Sequence, residues 1–403
     1  MSIEKFVKRL NEVGLDVTQE EHSLIIAFET VFAHVEIGED WEREIRGYYR
    51  SRLINYEEQN RIFWTPKAFE RPIGRLNQTS FNRLKYEFTG NRSGKVVFNR
   101  ASKKFCLAFL ESDEYPSFFE NIITRRLKRT RMRVMDTIEG LLWRPNTVRY
   151  ELSSNTDKST LFDKANKAIS SCLFKLAHEK GECWEPLKKK KRLVIDIHED
   201  DNEDELIIPL AVYDENLVRY YKVARSSQFS SQAFLAFYHI LEYNFLRVTD
   251  EVLYNKIRGQ INNTEFRPSH KHIDRLISTI SSHKEQSDET EMLRSVLQKY
   301  IDEEELIEFI EKIEKESKQT IYTKSRIIFG DKFSVSPKQG HALSNSAKVI
   351  KHIRNALVHS SDRYSREDCH IPLTESEEIV SEFVPLVRFM AEKIIFSSAS
   401  GSS

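Results

Sequence analysis

Past about residue 216 the chain becomes almost continuous amphipathic helix, and that texture limits what its second half can fold into. Four long segments carry it: 217–248, with a break expected near 226–230, then 289–316, 341–359 and 375–396. Apolar residues recur in each at helical spacing, so each has one face to bury and one to leave in water. Four such faces satisfy one another in an antiparallel helical bundle. Ahead of the last segment stands Pro372, with Thr374 as expected N-cap and Glu377 as its capping-box partner. The polar stretch 249–288 reads as smaller helices or an excursion.

The first half has a different texture. Short stretches rich in aromatic and β-branched residues at 24–28, 33–37, 61–64, 84–88, 96–98 and 105–109 alternate with turn-like segments such as 89–94. They read as strands of an antiparallel sheet. Helices are expected over 116–129 and 160–179. A chain of 403 residues also exceeds what one hydrophobic core usually serves. The expected organisation is therefore a mixed α+β domain over 1–210, an all-α domain over 216–396, and a disordered tail of Ser, Ala and Gly over 397–403.

Composition narrows the partners. Lys plus Arg and Asp plus Glu both number 62, so a nucleic acid has to be held by a local basic surface rather than by an overall field. The basic run Lys188-Lys189-Lys190-Lys191-Arg192 is followed by 194–197 and then by the acidic 198–205. It reads either as a nuclear address or RNA-contacting patch, or as a hairpin whose solvated ends carry opposite charge. The longest apolar runs fall well short of the ~18 residues of a membrane span. Glu4, Lys5, Lys8 and Arg9 stand where a signal peptide would carry an apolar core. Cys106, Cys172, Cys183 and Cys369 are widely spaced, as expected for reduced thiols in the cytoplasm. His270, His272 and His283 lack a carboxylate at ligand spacing and read as surface histidines, so no metal is expected.

The third helical segment carries the chemistry. At ~100° per residue, Val349, Ile350, Ile353, Ala356 and Leu357 form one apolar stripe. Lys348, Lys351, His352, Asn355 and His359 fall on the opposite side, and Arg354 sits at the border. Asn355 and His359 are four apart and expected to be stacked neighbours. An imidazole can move a proton near neutral pH, and adjacent cations can bind a phosphate and stabilise charge developing on it. On this reading Lys348, Lys351 and His352 contact substrate; a solvated basic face with a chance histidine is the alternative. On the first segment Phe234, Phe237, Leu241 and Phe245 form the stripe, with Tyr238 and Glu242 at its edge. A carboxylate there is partly desolvated and needs a partner, and Arg354 is the candidate. That pair reads equally as a structural salt bridge or as a bidentate grip aiming Arg354 at phosphate.

The run Arg354-Asn355-x-x-x-His359, near the end of the third helix of four, resembles the Arg-x(4–6)-His motif of HEPN domains (higher eukaryotes and prokaryotes nucleotide-binding). These are four-helix bundles that often act as metal-independent endoribonucleases. The likeness covers about 216–396. The segment Phe234-Leu235-Ala236-Phe237-Tyr238-His239-Ile240-Leu241-Glu242 resembles the aromatic-rich first helix of prokaryotic defence-associated members, including those of the ApeA-like type. The resemblance implies cleavage of single-stranded RNA through attack of the 2′-hydroxyl, without a cofactor. Arg354, Asn355 and His359 would be catalytic, with Glu242 holding Arg354. It implies a composite site in a homodimer, which also fits a helix face that offers little concavity alone. It implies a toxic effector of abortive anti-phage infection, restrained by the first domain, with a phage-derived protein as candidate trigger. The rival expectation is a HEPN-like module that dimerises or binds nucleic acid without cutting it.

Overall fold

The computed structural model describes residues 2–20, 23–28, 31–76, 84–90, 94–123, 138–187, 211–286, 288–359 and 369–401. The chain divides into two compact units, Met1–Lys191 and Arg192–Ser403. The first is rich in sheet and the second helical. The charged runs at 188–192, 194–197 and 198–205 lie outside the described residues.

In the first unit, helix α1 (Ser2–Glu12) contributes Phe6 and Leu10 to a core shared with an antiparallel sheet of β1 (Asp16–Glu20), β2 (Ser23–Phe28) and β3 (Val31–Glu36). Helix α2 (Glu39–Arg50) adds Trp41 and Ile45 to that core. A larger antiparallel sheet runs β4 (Asn55–Glu57), β5 (Ile62–Thr65), β6 (Ala68–Arg75), β9 (Asn146–Leu152), β8 (Gly94–Arg100), β7 (Tyr86–Thr89). The short β10 (Trp184–Pro186) pairs the far end of β6. The expected strands at 24–28, 33–37, 61–64, 84–88 and 96–98 coincide with or overlap β2, β3, β5, β7 and β8.

The stretch 105–109 is not a strand. It lies in helix α3 (Lys103–Leu110), where every residue from Phe105 to Leu110 is buried. Ser102 starts the helix by accepting the Phe105 N–H at 3.1 Å, and buried Glu70 fixes Ser102 by accepting its N–H at 2.8 Å. A helix buried all round has no polar face to reveal its period, so an aromatic run of this length reads as a strand. The expected helix at 116–129 is a short turn, α4 (Tyr115–Phe118), continued by a wider turn over Phe119–Ile123; the rest is outside the described residues. Helix α5 (Lys158–Lys180) contributes Leu161, Ala165, Ile169, Leu173 and Leu176 to the core of the larger sheet. Asp157 caps its start, and Gly181 at φ 64° closes it in the left-handed conformation that glycine adopts without strain.

The second unit contains α6 (Glu215–Ser226), α7 (Ser230–Glu242), α8 (Phe245–Ile261), α9 (His270–Gln286), α10 (Glu289–Tyr300), α11 (Glu303–Ser317), α12 (Ala342–Val358) and α13 (Ser376–Ser397). Helices α7, α10, α12 and α13 each contact the other three. Phe234, Phe237, Leu241, Leu293, Leu297, Ile350, Ile353, Leu386 and Met390 meet in their shared core. In the second unit β11 (Ala211–Val212) pairs with β14 (Ser400–Gly401), and a separate hairpin of β12 (Arg326–Ile328) and β13 (Asp331–Phe333) precedes α12.

Several boundaries differ from expectation. The segment 217–248 breaks at 227–229 as anticipated and again at Tyr243 and Asn244. The segment 289–316 is two helices, because Asp302 caps a new start by accepting the Glu304 N–H at 2.8 Å. The stretch 249–288 forms two full-length helices rather than minor ones. Of the tail expected over 397–403, Ser397 ends α13 and Ser400–Gly401 pairs with 211–212.

The capping box at Thr374 and Glu377 does not form. Thr374 Oγ1 accepts the Ser376 N–H at 3.3 Å, but the Glu377 carboxylate turns elsewhere. It accepts the Ser231 N–H at 2.8 Å and lies 2.7 Å from Nε2 of buried His370, tying 370–377 to the start of α7. Burial pushes the Glu377 carboxyl up, but the bonds from His370 and Ser231 outweigh it and hold the group below the usual glutamate value. A carboxyl depressed on folding stabilises above its unfolded value of ~4.3 and loses that contribution as pH falls through the folded value. Glu377→Gln is expected to lower unfolding free energy by about 1–2 kcal/mol at neutral pH. The gap to wild type should narrow below about pH 4. Urea midpoints across that range test this; a gap independent of pH would exclude it.

Candidate functional site

The site is built on the last two turns of α12. Val349, Ile350 and Ile353 are buried, and Ala356 and Leu357 pack partly against the same core, so the apolar stripe falls where helical spacing puts it. This anchors the rotation of the helix and fixes where its polar residues emerge.

Arg354 emerges between two carboxylates. Its Nη2 lies 3.5 Å from Glu242 Oε1, at the end of α7, and 3.5 Å from Glu289 Oε1, at the start of α10. Nη1 donates to Asn355 Oδ1 at 3.2 Å, and the guanidinium carbon sits 5.7 Å from the centre of the Tyr238 ring. Tyr238, fully buried, donates its hydroxyl to Glu289 Oε1 at 3.0 Å. Burial first, then the negative charge of Glu289, pushes that phenol well above its ordinary value, so it stays a donor. On the other side His239 Nδ1 lies 3.0 Å from Glu242 Oε2, and the His239 ring is 5.4 Å from that of Tyr220. The guanidinium is thus clamped by hydrogen-bonded acids and backed by an aromatic face.

The contact between Glu242 and Arg354 is present, in the form of an ion pair rather than the bidentate grip that was one of its two readings. One nitrogen is shared between Glu242 and Glu289, and the fork is turned so that its other arm meets Asn355. Glu289 and His239 escaped the sequence reading. His239 stands three residues before Glu242 on one helix, a spacing that signals contact. Glu289 carried a weaker sign, an acidic residue opening a helix, and only the packing of α10 against α12 brings it to Arg354.

The remaining expected residues separate. His359 is exposed and lies just past the helix end, in extended backbone at φ −109° and ψ 94°. Its N–H donates to the Asn355 carbonyl at 2.9 Å, so Asn355 and His359 are joined through backbone, not as stacked side chains on one helix. Lys348 is exposed. Lys351 is engaged by Asp288 Oδ1 at 2.7 Å and Thr290 Oγ1 at 2.8 Å. The Lys351 bond, reinforced by Thr290, holds the Asp288 carboxyl below its usual range. His352 is not brought to Arg354. Its Nε2 lies 2.9 Å from the Ile328 carbonyl and 3.1 Å from that of Phe329, and its ring is 4.6 Å from Phe333. It pins the β12–β13 hairpin to α12, which explains an imidazole there without a substrate.

What the arrangement offers chemically is a half-buried cation beside an amide, one helical turn before an exposed imidazole. No protein-family model, no curated protein and no solved structure matches the chain.

Proposed function

We propose that the second unit is a HEPN-like four-helix bundle acting as a metal-independent endoribonuclease. The observation that carries this reading is Arg354, held by Glu242 and bonded to Asn355, one turn before exposed His359. In the proposed reaction His359 takes the proton from the ribose 2′-hydroxyl as that oxygen attacks the adjacent phosphorus. The bond to the 5′-oxygen breaks, that oxygen leaves with the electron pair and takes a proton from solvent water, and the products are a 2′,3′-cyclic phosphate and a 5′-hydroxyl. Arg354 stabilises the non-bridging oxygens, and Asn355 orients Arg354 through the 3.2 Å contact. Two copies brought together would enclose the reacting phosphate in a composite cleft, and Lys348 remains available to guide RNA into it. The biological setting proposed is a toxic effector in anti-phage abortive infection in the cytoplasm, with the first unit receiving a phage-derived trigger.

One observation favours a second reading. Arg354 faces two carboxylates, Glu242 and Glu289, which together more than neutralise it. A phosphate approaching this cluster meets negative charge first, as it would if the cluster only braced a non-catalytic module for dimerisation or nucleic-acid binding. Incubating the purified full chain with single-stranded RNA in EDTA separates the two. The nuclease reading expects cleavage with 2′,3′-cyclic phosphate ends. RNA left intact, or cut only after a divalent metal is added, would remove it.

A further inference from the structure

The charge balance of the whole chain hides a local excess. Between 318 and 341, where α11 connects to α12, Lys318, Lys324, Arg326, Lys332 and Lys338 stand against one acid, Asp331. All four lysines are exposed, and none has a carboxylate partner among the described residues. Lys318, Lys324 and Arg326 line an open groove of about 520 Å³ together with Gln319, Thr320 and Glu314. The acids beside it are taken up by the fold. Glu314 Oε1 accepts the N–H groups of Tyr322 and Thr323 at 2.6 and 2.8 Å, and Oε2 accepts the Thr323 hydroxyl at 2.6 Å. Glu382 pairs with Arg326 at 2.5 Å. The lysines are left to solvent.

This surface is fixed to the helix that carries the candidate site. His352 pins the β12–β13 hairpin to α12, 2.9 Å from the Ile328 carbonyl. Ile328 and Phe333 turn toward α12, whereas Lys332 pairs in register with Ile327, which is 71% exposed, on the outer side. Lys348, His352 and Asn355 follow one line of α12 at ~100° per residue. His359 closes that line through its N–H bond to the Asn355 carbonyl, ~10 Å along the helix from the pinned point. An anchor of this kind answers a need. Around Arg354, Glu242 and Glu289 outweigh the guanidinium, so a polyanion gains little from that cluster alone.

We infer that the connection from α11 to α12 is a docking surface for the backbone of single-stranded RNA, with Lys318, Lys324 and Lys332 as phosphate contacts. The inference takes from the preceding reading only that RNA comes to this unit. A repeating polyanion fits better than a small phosphorylated ligand. The groove is walled by exposed polar chains with no aromatic or apolar lining to enclose a small molecule, and the cations continue past it to Lys332 and Lys338.

Fluorescence anisotropy of the full chain with a 2′-O-methyl oligouridylate, whose blocked 2′-oxygen prevents cutting, tests this across a salt series. Lys318→Gln/Lys324→Gln/Lys332→Gln is expected to weaken binding roughly 10²-fold at ~0.1 M salt. The slope of log affinity on log salt should become shallower by about 2, at ~0.7 per lost contact. The unfolding midpoint should not move, because all three positions are exposed. Lys222→Gln/Lys256→Gln/Lys271→Gln, the same charge change at exposed positions on other helices, should bind like wild type. A wild type that fails to bind, equal losses in the two triple variants, or uridine monophosphate bound as tightly as the oligonucleotide would overturn the inference. RNA held through these lysines but never cut would remove the nuclease reading and leave this one standing. RNA cut by a triple variant that binds like wild type would do the reverse.

Discussion

Replacing His359 with alanine is expected to reduce RNA cleavage by roughly 10²–10⁴-fold, the usual worth of a positioned proton-transfer group, and to leave the unfolding midpoint where it was. The two halves of this expectation have separate causes. The side chain is exposed, and among the described residues its structural contribution is the backbone N–H that bonds Asn355 at 2.9 Å. Alanine keeps that N–H, and the extended backbone at φ −109° suits alanine as well as histidine. A charged imidazole at a helix end would add only about 0.3–1 kcal/mol through the dipole. Single-turnover cleavage and thermal unfolding should be measured on the same preparation. Cleavage equal to wild type removes His359 from the chemistry. Lost cleavage accompanied by a lowered midpoint assigns it to the fold instead.

What the sequence revealed of this site followed from periodicity. Val349, Ile350 and Ile353 recur at helical spacing, so the rotation of α12 could be read, and with it the border position of Arg354. Glu242 lay at the matching border of α7, which is why their meeting was legible. The same logic failed for Lys351 and His352. Periodicity tells which side of a helix is polar, but not what else covers that side. Asp288 and Thr290 engage Lys351, and a three-residue hairpin strand pair engages His352. Elements that short carry almost no local signal. Helix ends were also poorly legible. His359 falls one residue beyond α12, so i,i+4 stacking with Asn355 could not be inferred from a wheel that assumed the helix continued. In the first unit, runs rich in aromatic and β-branched residues located isolated strands, but the pairing of β6 with β9 sets Ala68 against Glu151 and Pro72 against Thr147 and has no local trace.

Arg354→Ala is expected to abolish cleavage and to lower stability by about 2–3 kcal/mol, less than the full cost of breaking a buried pair because the side chain retains some access to water. Removing the guanidinium leaves Glu242 and Glu289 facing each other without their shared cation, while buried Tyr238 still donates to Glu289. The stability loss should therefore come from the orphaned acids, and neutralising one of them should repair it. Glu289→Gln placed on Arg354→Ala keeps an acceptor for Tyr238 and is expected to recover about half the lost stability. It cannot supply a cation to phosphate, so cleavage should stay lost. Arg354→Lys separates charge from shape: it restores the cation but not the planar fork that reaches two acids and Asn355 at once. Stability should then return further than activity. Denaturation midpoints and cleavage rates for the three variants form the test, since a purely structural role requires the two readouts to rise together. If Arg354→Ala/Glu289→Gln regained cleavage in step with stability, Arg354 would be a brace for α7, α10 and α12, and the phosphate contact would have to be made by another cation.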